Sequence, residues 1–549
     1  MALLAACGGA PPATEPTAPP EPSPTLGTLP TAAPLATAEA EPTTAPPTAP
    51  TAGDGSTLVI MGHQEVAGLS PDDSGPTVQW AVITNIHNAL LELDENYVLQ
   101  PVLAESYEAA PDGLQYTFNL RQGVLFHNGE ELTAADVKYT YDYYRNPDNA
   151  ATIANRFAGV DSIETPDDYT VVVNMERPNA AFLAQAAPTF IVNAAYHEEV
   201  GEDTYKTAPV GTGAYKLKEW RAAEFTELEA FADHFRGQPN IDFLRLDVVP
   251  EASVRAIAIE TGEADTAVWP LLVEDNLRLV DDPSYTSYRT ATVSVNHFPL
   301  NNEHPILSDK LVRQAMMYAI DRERVIQDVF SGTAVIAHTN MSPALEFWYN
   351  PNTKKYEYDV DQANALLDEA GWAMGEDGIR EKDGEKLTFT CTVITGDQAR
   401  LPEAELVQQF LAEVGIDMQL AEQPISAILE GLRNGTVDAS LFNWTYGGGG
   451  GEPDGSVTLR SDGGNNFSNW TNPRVDELLD QGLAEIDPDA RQAIYFEIQD
   501  ILAEEVPFLY MMYWDWFNIF TGRVEGLPAT ALNGSQLYRL PHTFSMQQG

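Results

Sequence analysis

Nine histidines are spread along the chain: His63, His87, His127, His197, His234, His297, His304, His338 and His542. None falls in the HExxH pattern or another spacing that would hold a metal ion beside a general base. There is no GxSxG nucleophile elbow and no phosphate-cradling Walker loop. The stretch "PVGTGAYKL" has Gly211 and Gly213 but lacks the third glycine of a dinucleotide loop, so it reads as a turn into a strand. Asp and Glu total 82. Acidic pairs therefore arise everywhere and carry no information about acid–base catalysis. With no nucleophile or metal motif, the chain reads as a binding protein rather than an enzyme. The chemistry left is contact. There are 9 Trp and 22 Tyr, and three groups stand at element ends or beside Gly and Pro. They are "AVWP" with Trp269, "FNWTYGGGGGEPD" with Trp444 and Tyr446, and "YMMYWDWF" with Tyr513 and Trp514. Each alone is more often packing than ligand contact. Together they suit a ligand cleft, because aromatic rings offer large, stiff contact area.

One further residue carries chemistry of another kind. Leu4-Ala5-Ala6-Cys7 resembles the lipobox of bacterial lipoproteins, which implies a mature N-terminus at Cys7 bearing lipid. From Gly8 to about Gly55 the chain is rich in Pro, Thr and Ala, with no aromatic residue and no apolar period. Such a segment cannot offset its ordering entropy by burial, and its prolines make it a semi-extended tether. "MALLAA" lacks a basic n-region and a full apolar core, and the first basic residue is Arg121. The printed start is thus expected to lie inside a longer signal peptide or to be a shortened one. No stretch reaches the roughly 18 apolar residues of a membrane span. The apolar "VPFLYMMYWDWFNIF" is too short and is broken by Asp515. Membrane attachment is expected through Cys7, at the outer face of the cytoplasmic membrane.

The elements that must position these residues follow from period and caps. The formal net charge of −52 excludes a general nucleic-acid binder, which needs clustered Lys and Arg. It reads as a solvated surface on an exported protein, or as adaptation to a salty exterior. A chain of 549 residues is expected to form two or three globular units. "STLVIMG", "YTVVVNM" and "GAYKLKEW" read as strands, and "LQYTFNLRQGVLFHNG" as strand, turn, strand. "QWAVITNIHNALLELD" reads as helical. "LTAADVKYTYDYYRNP" opens a helix with Thr133 as N-cap and Asp136 three residues on. "LSDKLVRQAMMYAIDRERVIQDVFSG" gives two helices with a stop at Gly332. Asn472-Pro473 and Asp487-Pro488 each cap a further helix. Cys391 alternates with Leu387, Phe389 and Val393 as the buried face of a strand, and no disulfide framework is implied. Strands alternating with helices argue for α/β lobes.

Several of these stretches, in this order, resemble the extracellular solute-binding proteins of family 5, the oligopeptide- and dipeptide-binding components of ABC importers. They are "VLAESYEAAPDGLQYTFNLRQGVLFHNGEELTAADVKYTYDYYRNP", "APVGTGAYKLKEW" with "GEADT", "LSDKLVRQAMMYAIDRERVI", and "NNFSNWTNPRVDELL" with "DARQAIYFEIQDIL". The likeness covers about Ser56 to Leu540. It implies an α/β, two-lobed periplasmic-binding-protein fold of type II, the large peptide-binding class, with an extra subdomain in the first lobe. Residues 56–290 would form the first lobe, with the extra subdomain at about 89–190. Residues 291–505 would form the second lobe, and 506–549 would return to the first. No cofactor is implied; the implied partners are a small solute, a permease and its ATPase, with the protein itself a monomer. In peptide-binding members an Asp three residues after a cleft Trp pairs with the ligand's α-amino group. Here Trp444 is followed at that place by Gly447, within a glycine run to Gly451. Glu452 or Asp454 then offers a replacement charge; otherwise the ligand lacks a free amine. The ligand-binding candidates are Trp269, His297, Trp444, Tyr446, Gly447, Glu452, Asp454, Tyr513 and Trp514. A peptide is the leading ligand class, with an oligosaccharide stacked on Trp as the alternative. A sensor presenting its ligand to a membrane receptor and a surface hydrolase are the readings from other classes.

Overall fold

A computed structural model describes residues 56–66, 68–71, 77–94, 99–149, 151, 153–268, 271–395, 400–446, 452–528 and 541–547. Cys7, the tether, Trp269 and Gly447 lie outside the described residues.

Two long strands organise the molecule. Tyr285–Pro299 and Phe508–Thr521 pair antiparallel along almost their whole length. They form the middle of a nine-stranded sheet. At one end, Thr266–Val268, Thr57–Gly62, Phe243–Val248, Phe225–Ala230 and Tyr215–Arg221 follow in that order. At the other, Phe442–Thr445 pairs with the first long strand and Ala334–Ile336 with the second. A separate parallel sheet, Asp417–Gln423, Thr388–Ile394 and Ala439–Ser440, leads directly into Phe442–Thr445. Cys391 is buried at the centre of that sheet. These are the two lobes.

The strand Phe508–Thr521 shows where one lobe gives way to the other. Phe508–Tyr513 and Phe517–Thr521 are buried, and only Trp514, Asp515 and Trp516 are half-exposed. Leu509, Met511 and Met512 pack with Val312, Met316 and Phe389 in the second lobe, whereas Phe520 packs with Leu58, Ile60 and Val268 in the first. The return to the first lobe, expected from 506, therefore comes at the centre of this strand. The reason is the strand's length: a doubly buried run belongs to whichever core surrounds it, and two cores share this one. On the partner strand the same level is marked by a bulge. Ala291 faces Asp515 and pairing resumes at Val295 with Tyr513, so Thr292–Ser294 stand opposite Trp514.

A third sheet, Ala104–Ala109, Gln115–Leu120, Thr170–Met175 and Val160–Asp167, is antiparallel and has its own core, including Tyr116, Phe118, Tyr141 and Phe182. Its helix, Ala134–Arg145, starts as the capping pattern predicts. Asp136 accepts from the Thr133 backbone N–H at 2.9 Å. The stretch "GVLFHNG" is a turn rather than a strand; Val124 and Phe126 fill the core while Phe126 N–H closes on Glu130 O at 2.8 Å. The helix expected over "QWAVITNIHNALLELD" stops at Ile86. There the backbone of Gly211 and Gly213 lies against the helix end, and Gly213 N–H donates to Ile86 O at 2.8 Å. A Cβ on Gly211 would sit 2.0 Å from Ile86 O, so the "PVGTG" turn requires glycine for close approach.

Helices Lys310–Ala319 and Arg322–Phe330 are separated by Asp321, whose side chain caps the second. Helices Pro473–Ala484 and Pro488–Glu505 begin at Asn472 and Asp487, each with Pro at the first position.

Candidate ligand cleft

Strand direction locates the cleft. Thr266 pairs with Phe520 in antiparallel sense, so Val268 lies nearer the crossing level than Thr266 does. Thr57–Gly62 is parallel to that strand and ends beside it, followed by His63. From the second lobe, Trp444 faces Val295 and Thr445 faces Ser294, so that strand also ends at the crossing level. The parallel strands Thr388–Ile394 and Ala439–Ser440 run in the same direction. Carboxyl ends of strands from both lobes thus converge on one level, the arrangement at which open α/β sheets take up ligands.

The floor at this level is the half-exposed Trp514–Asp515–Trp516. Trp514 stacks obliquely on Phe330, ring centroids 5.8 Å apart, and its indole Nε1 has no hydrogen-bond partner among the described residues. Arg289 donates through Nε to Asp515 Oδ2 at 2.5 Å and through Nη2 to Gly332 O at 2.8 Å. That pair joins the two crossing strands and ties both to the loop before Ala334–Ile336. Trp444, half-buried, meets the ring of Phe467 edge-on at 6.1 Å. On the opposite face of the second-lobe sheet, Asn296 Nδ2 donates to the buried Glu403 at 2.9 Å and Arg400 donates to Asn443 at 2.8 Å. His63, half-buried at the first-lobe rim, has its imidazole pushed down by burial and by Arg255.

The structure separates the sequence candidates into two groups. Trp444 and Trp514 are brought to the crossing level and remain half-exposed. Tyr446, Tyr513 and His297 are instead buried in the second lobe, which corrects their expected place on the cleft surface. The reason is local packing, with hydrogen bonds added at Tyr513. Tyr513 donates its hydroxyl to the carbonyls of Thr339 and Met341 at 2.6 and 2.5 Å. His297 packs edge-on against Phe508 at 5.1 Å, and burial pushes its imidazole down to about 4. Tyr446 is packed among Leu459, Trp470 and Tyr510.

Glu452 is corrected most sharply. Its carboxylate is buried and held by Arg491 through both guanidinium ends, Nη1 to Oε2 at 3.0 Å and Nη2 to Oε1. Burial raises the Glu452 carboxyl and the Arg491 charge opposes that rise. Asp454, half-buried, accepts at Oδ1 from Ser456 N–H at 3.1 Å and from its hydroxyl at 2.5 Å. Neither carboxylate is an idle charge. Arg289, Asp515 and Trp516 were missed in the sequence. The signal was Asp515 itself: a charge in the middle of an otherwise apolar strand marks the place where that strand meets a partner charge, here Arg289.

Residues 98–467 match the model of the bacterial extracellular solute-binding proteins, family 5 (middle region). The chain belongs to this family. The glutathione-binding protein GsiB of Pectobacterium atrosepticum is 30% identical over 501 residues, covering 86% of this chain and 90% of the relative. The oligopeptide-binding protein AppA of Bacillus subtilis is 27% identical over 463 residues, covering 81% and 83%. Its structure in complex with a nonapeptide superposes with a TM-score of 0.75 at 25% identity, covering 90% of this chain and 99% of that one. NikA from Brucella suis in complex with Fe(III)-EDTA superposes with a TM-score of 0.81 at 27% identity, covering 89% and 100%. The chain is therefore a family 5 solute-binding protein with the two-lobed fold of that family. Among the described residues no helix is long and apolar enough to cross a membrane.

Proposed function

We propose that this protein is the substrate-binding subunit of an ABC importer, capturing a peptide or peptide-like solute between its lobes and delivering it to a membrane permease. Lipid on Cys7 and the Pro/Thr/Ala-rich tether would hold it at the outer face of the cytoplasmic membrane. The observation that carries the reading is the half-exposed Trp514–Trp516 segment, the one open stretch in a strand otherwise buried by both lobes. Ligand contacts from both lobes exist together only when the lobes close, so binding favours the closed state.

The amine of the ligand is not the main anchor in this reading. Gly447 stands where the anchoring Asp is expected, Glu452 is neutralised by Arg491, and Asp454 is engaged by Ser456. A further buried ammonium would lack a partner, a cost of several kcal/mol. The ligand is held instead by main-chain contacts and by stacking on Trp444 and Trp514. Calorimetric titration with a dipeptide, its N-acetylated form and a cello-oligosaccharide tests this. Expected is binding of both peptides within about threefold of each other, since no charge-assisted bond to the amine is lost on acetylation. Collapse on acetylation would show that another acid anchors the amine. Binding of the sugar alone would favour the second reading, an oligosaccharide stacked on the same two indoles.

A further inference from the structure

Beside the junction the second lobe has an open cavity of about 410 Å³. One wall is the short strand Ala334–Ile336, which pairs only with Phe508–Thr521. The ladder fixes which way its backbone points. Asp515 N–H donates to Thr333 O at 3.0 Å and Ala337 N–H donates to Met511 O at 3.1 Å. Antiparallel bonds alternate, so Thr333, Val335 and Ala337 face the partner strand, and the N–H and C=O groups of Ala334 and Ile336 face outward. This is a free sheet edge lying along a cavity. Three extended residues span roughly 10 Å, the reach of a tripeptide.

The polar groups around that edge are unengaged. Lys355 lines the cavity and, among the described residues, is the one lysine whose ammonium has neither a carboxylate nor a carbonyl partner. Seven of the others form ion pairs, and Lys382 donates to Ala370 O. In a chain of net charge −52 an idle cation is conspicuous, since acids outnumber bases almost three to one. His338 lines the same cavity, and its buried Nδ1 has no hydrogen-bond partner. Tyr349 adds a phenol, and Glu323 adds a negative charge.

We propose that this cavity is a second binding site, for a short zwitterionic peptide that lies along the Ala334–Ile336 edge with its terminal carboxylate on Lys355. Strand addition supplies the affinity, because the outward N–H and C=O groups of Ala334 and Ile336 complement a peptide main chain. Lys355 and Glu323 supply polarity, one sign for each terminus. The site is formed by the second lobe alone, so it does not need lobe closure.

Protection of Lys355 from acetylation, read by mass spectrometry on the full-length protein, tests this with trialanine and trialanine amide as probes. Trialanine is expected to slow acetylation of Lys355 specifically, with half-protection at a concentration up to about fivefold lower than for the amide, the upper end for one exposed ion pair. Ala334→Pro removes an outward N–H without touching the ladder and is expected to reduce protection. Trp444→Ala, which disables the interlobe cleft, is expected to leave protection intact. Equal protection by acid and amide, or none by either, overturns the site. Protection that disappears in Trp444→Ala assigns the effect to lobe closure and likewise overturns it, while leaving the importer reading standing.

Discussion

The loop end at Glu452–Asp454 and the strand centre at Trp514–Trp516 both place acidic side chains beside a run read as a ligand-binding candidate. Their surroundings are opposite. Glu452 lies with Arg491 and Tyr495 under the second lobe's helices, and the guanidinium of Arg491 sits 5.3 Å from the Tyr495 ring. Every charge there has a partner from the same lobe. At the strand centre, among the described residues, the indole N–H of Trp514 has no partner, and the carboxylate of Asp515 is met by Arg289, which is itself 42% exposed. A group satisfied within its own lobe supports the fold. A group left short of partners where two lobes meet is available to a ligand.

The comparison is broken most severely by uncoupling the closed region. Glu452→Gln leaves Arg491 charged and buried, and a loss of about 3–5 kcal/mol is expected in urea unfolding. If stability holds while ligand affinity falls, Glu452 is a ligand group after all. Acid comes next. The His297 imidazole titrates near 4 in the fold against 6.5 when free. The unfolded chain thus binds this proton first, so the stability tied to neutral His297 is complete above about pH 6.5 and is lost as the pH falls toward 4. The loss reaches up to about 3 kcal/mol. His297→Phe is expected to flatten that slope, seen as a smaller drop in Tm between pH 7 and 5.

Neighbouring residues sharpen the contrast further. Tyr513→Phe removes a donor from two buried carbonyls and is expected to cost about 1–3 kcal/mol of stability while leaving intrinsic affinity unchanged. Trp514→Ala is expected to do the reverse in the main, weakening ligand at least about tenfold, as truncation of a central contact does. Calorimetry of both variants with the same ligand separates them; equal affinity losses would erase the distinction drawn here. The smallest effect is expected from Arg289→Ala. An ion pair this exposed contributes about 0–1 kcal/mol to stability. It joins the crossing strands, however, so its removal is expected to show as an altered radius of gyration of the ligand-free protein in small-angle scattering.

The family was legible because its stretches are long and ordered, and each encodes a local device. The Thr133–Asp136 cap, the Asn472-Pro473 and Asp487-Pro488 starts, and the period-2 run around Cys391 depend only on neighbours in the chain. So does the absence of Asp at Gly447. Where a local pattern needed a distant partner, the sequence reading went astray. The helix at Thr77 ends at Ile86 because Gly211 and Gly213, more than 120 residues away, lie against its last turn. Tyr513 and Trp514 are adjacent, yet one is sealed by Thr339 and Met341 and the other faces the junction. Glu452 reads as a free acid until Arg491 is folded against it. Periodicity and capping are properties of a few consecutive residues, so the chain alone determines them. Burial of a side chain and satisfaction of a charge depend on what another segment brings, and only the tertiary structure decides that.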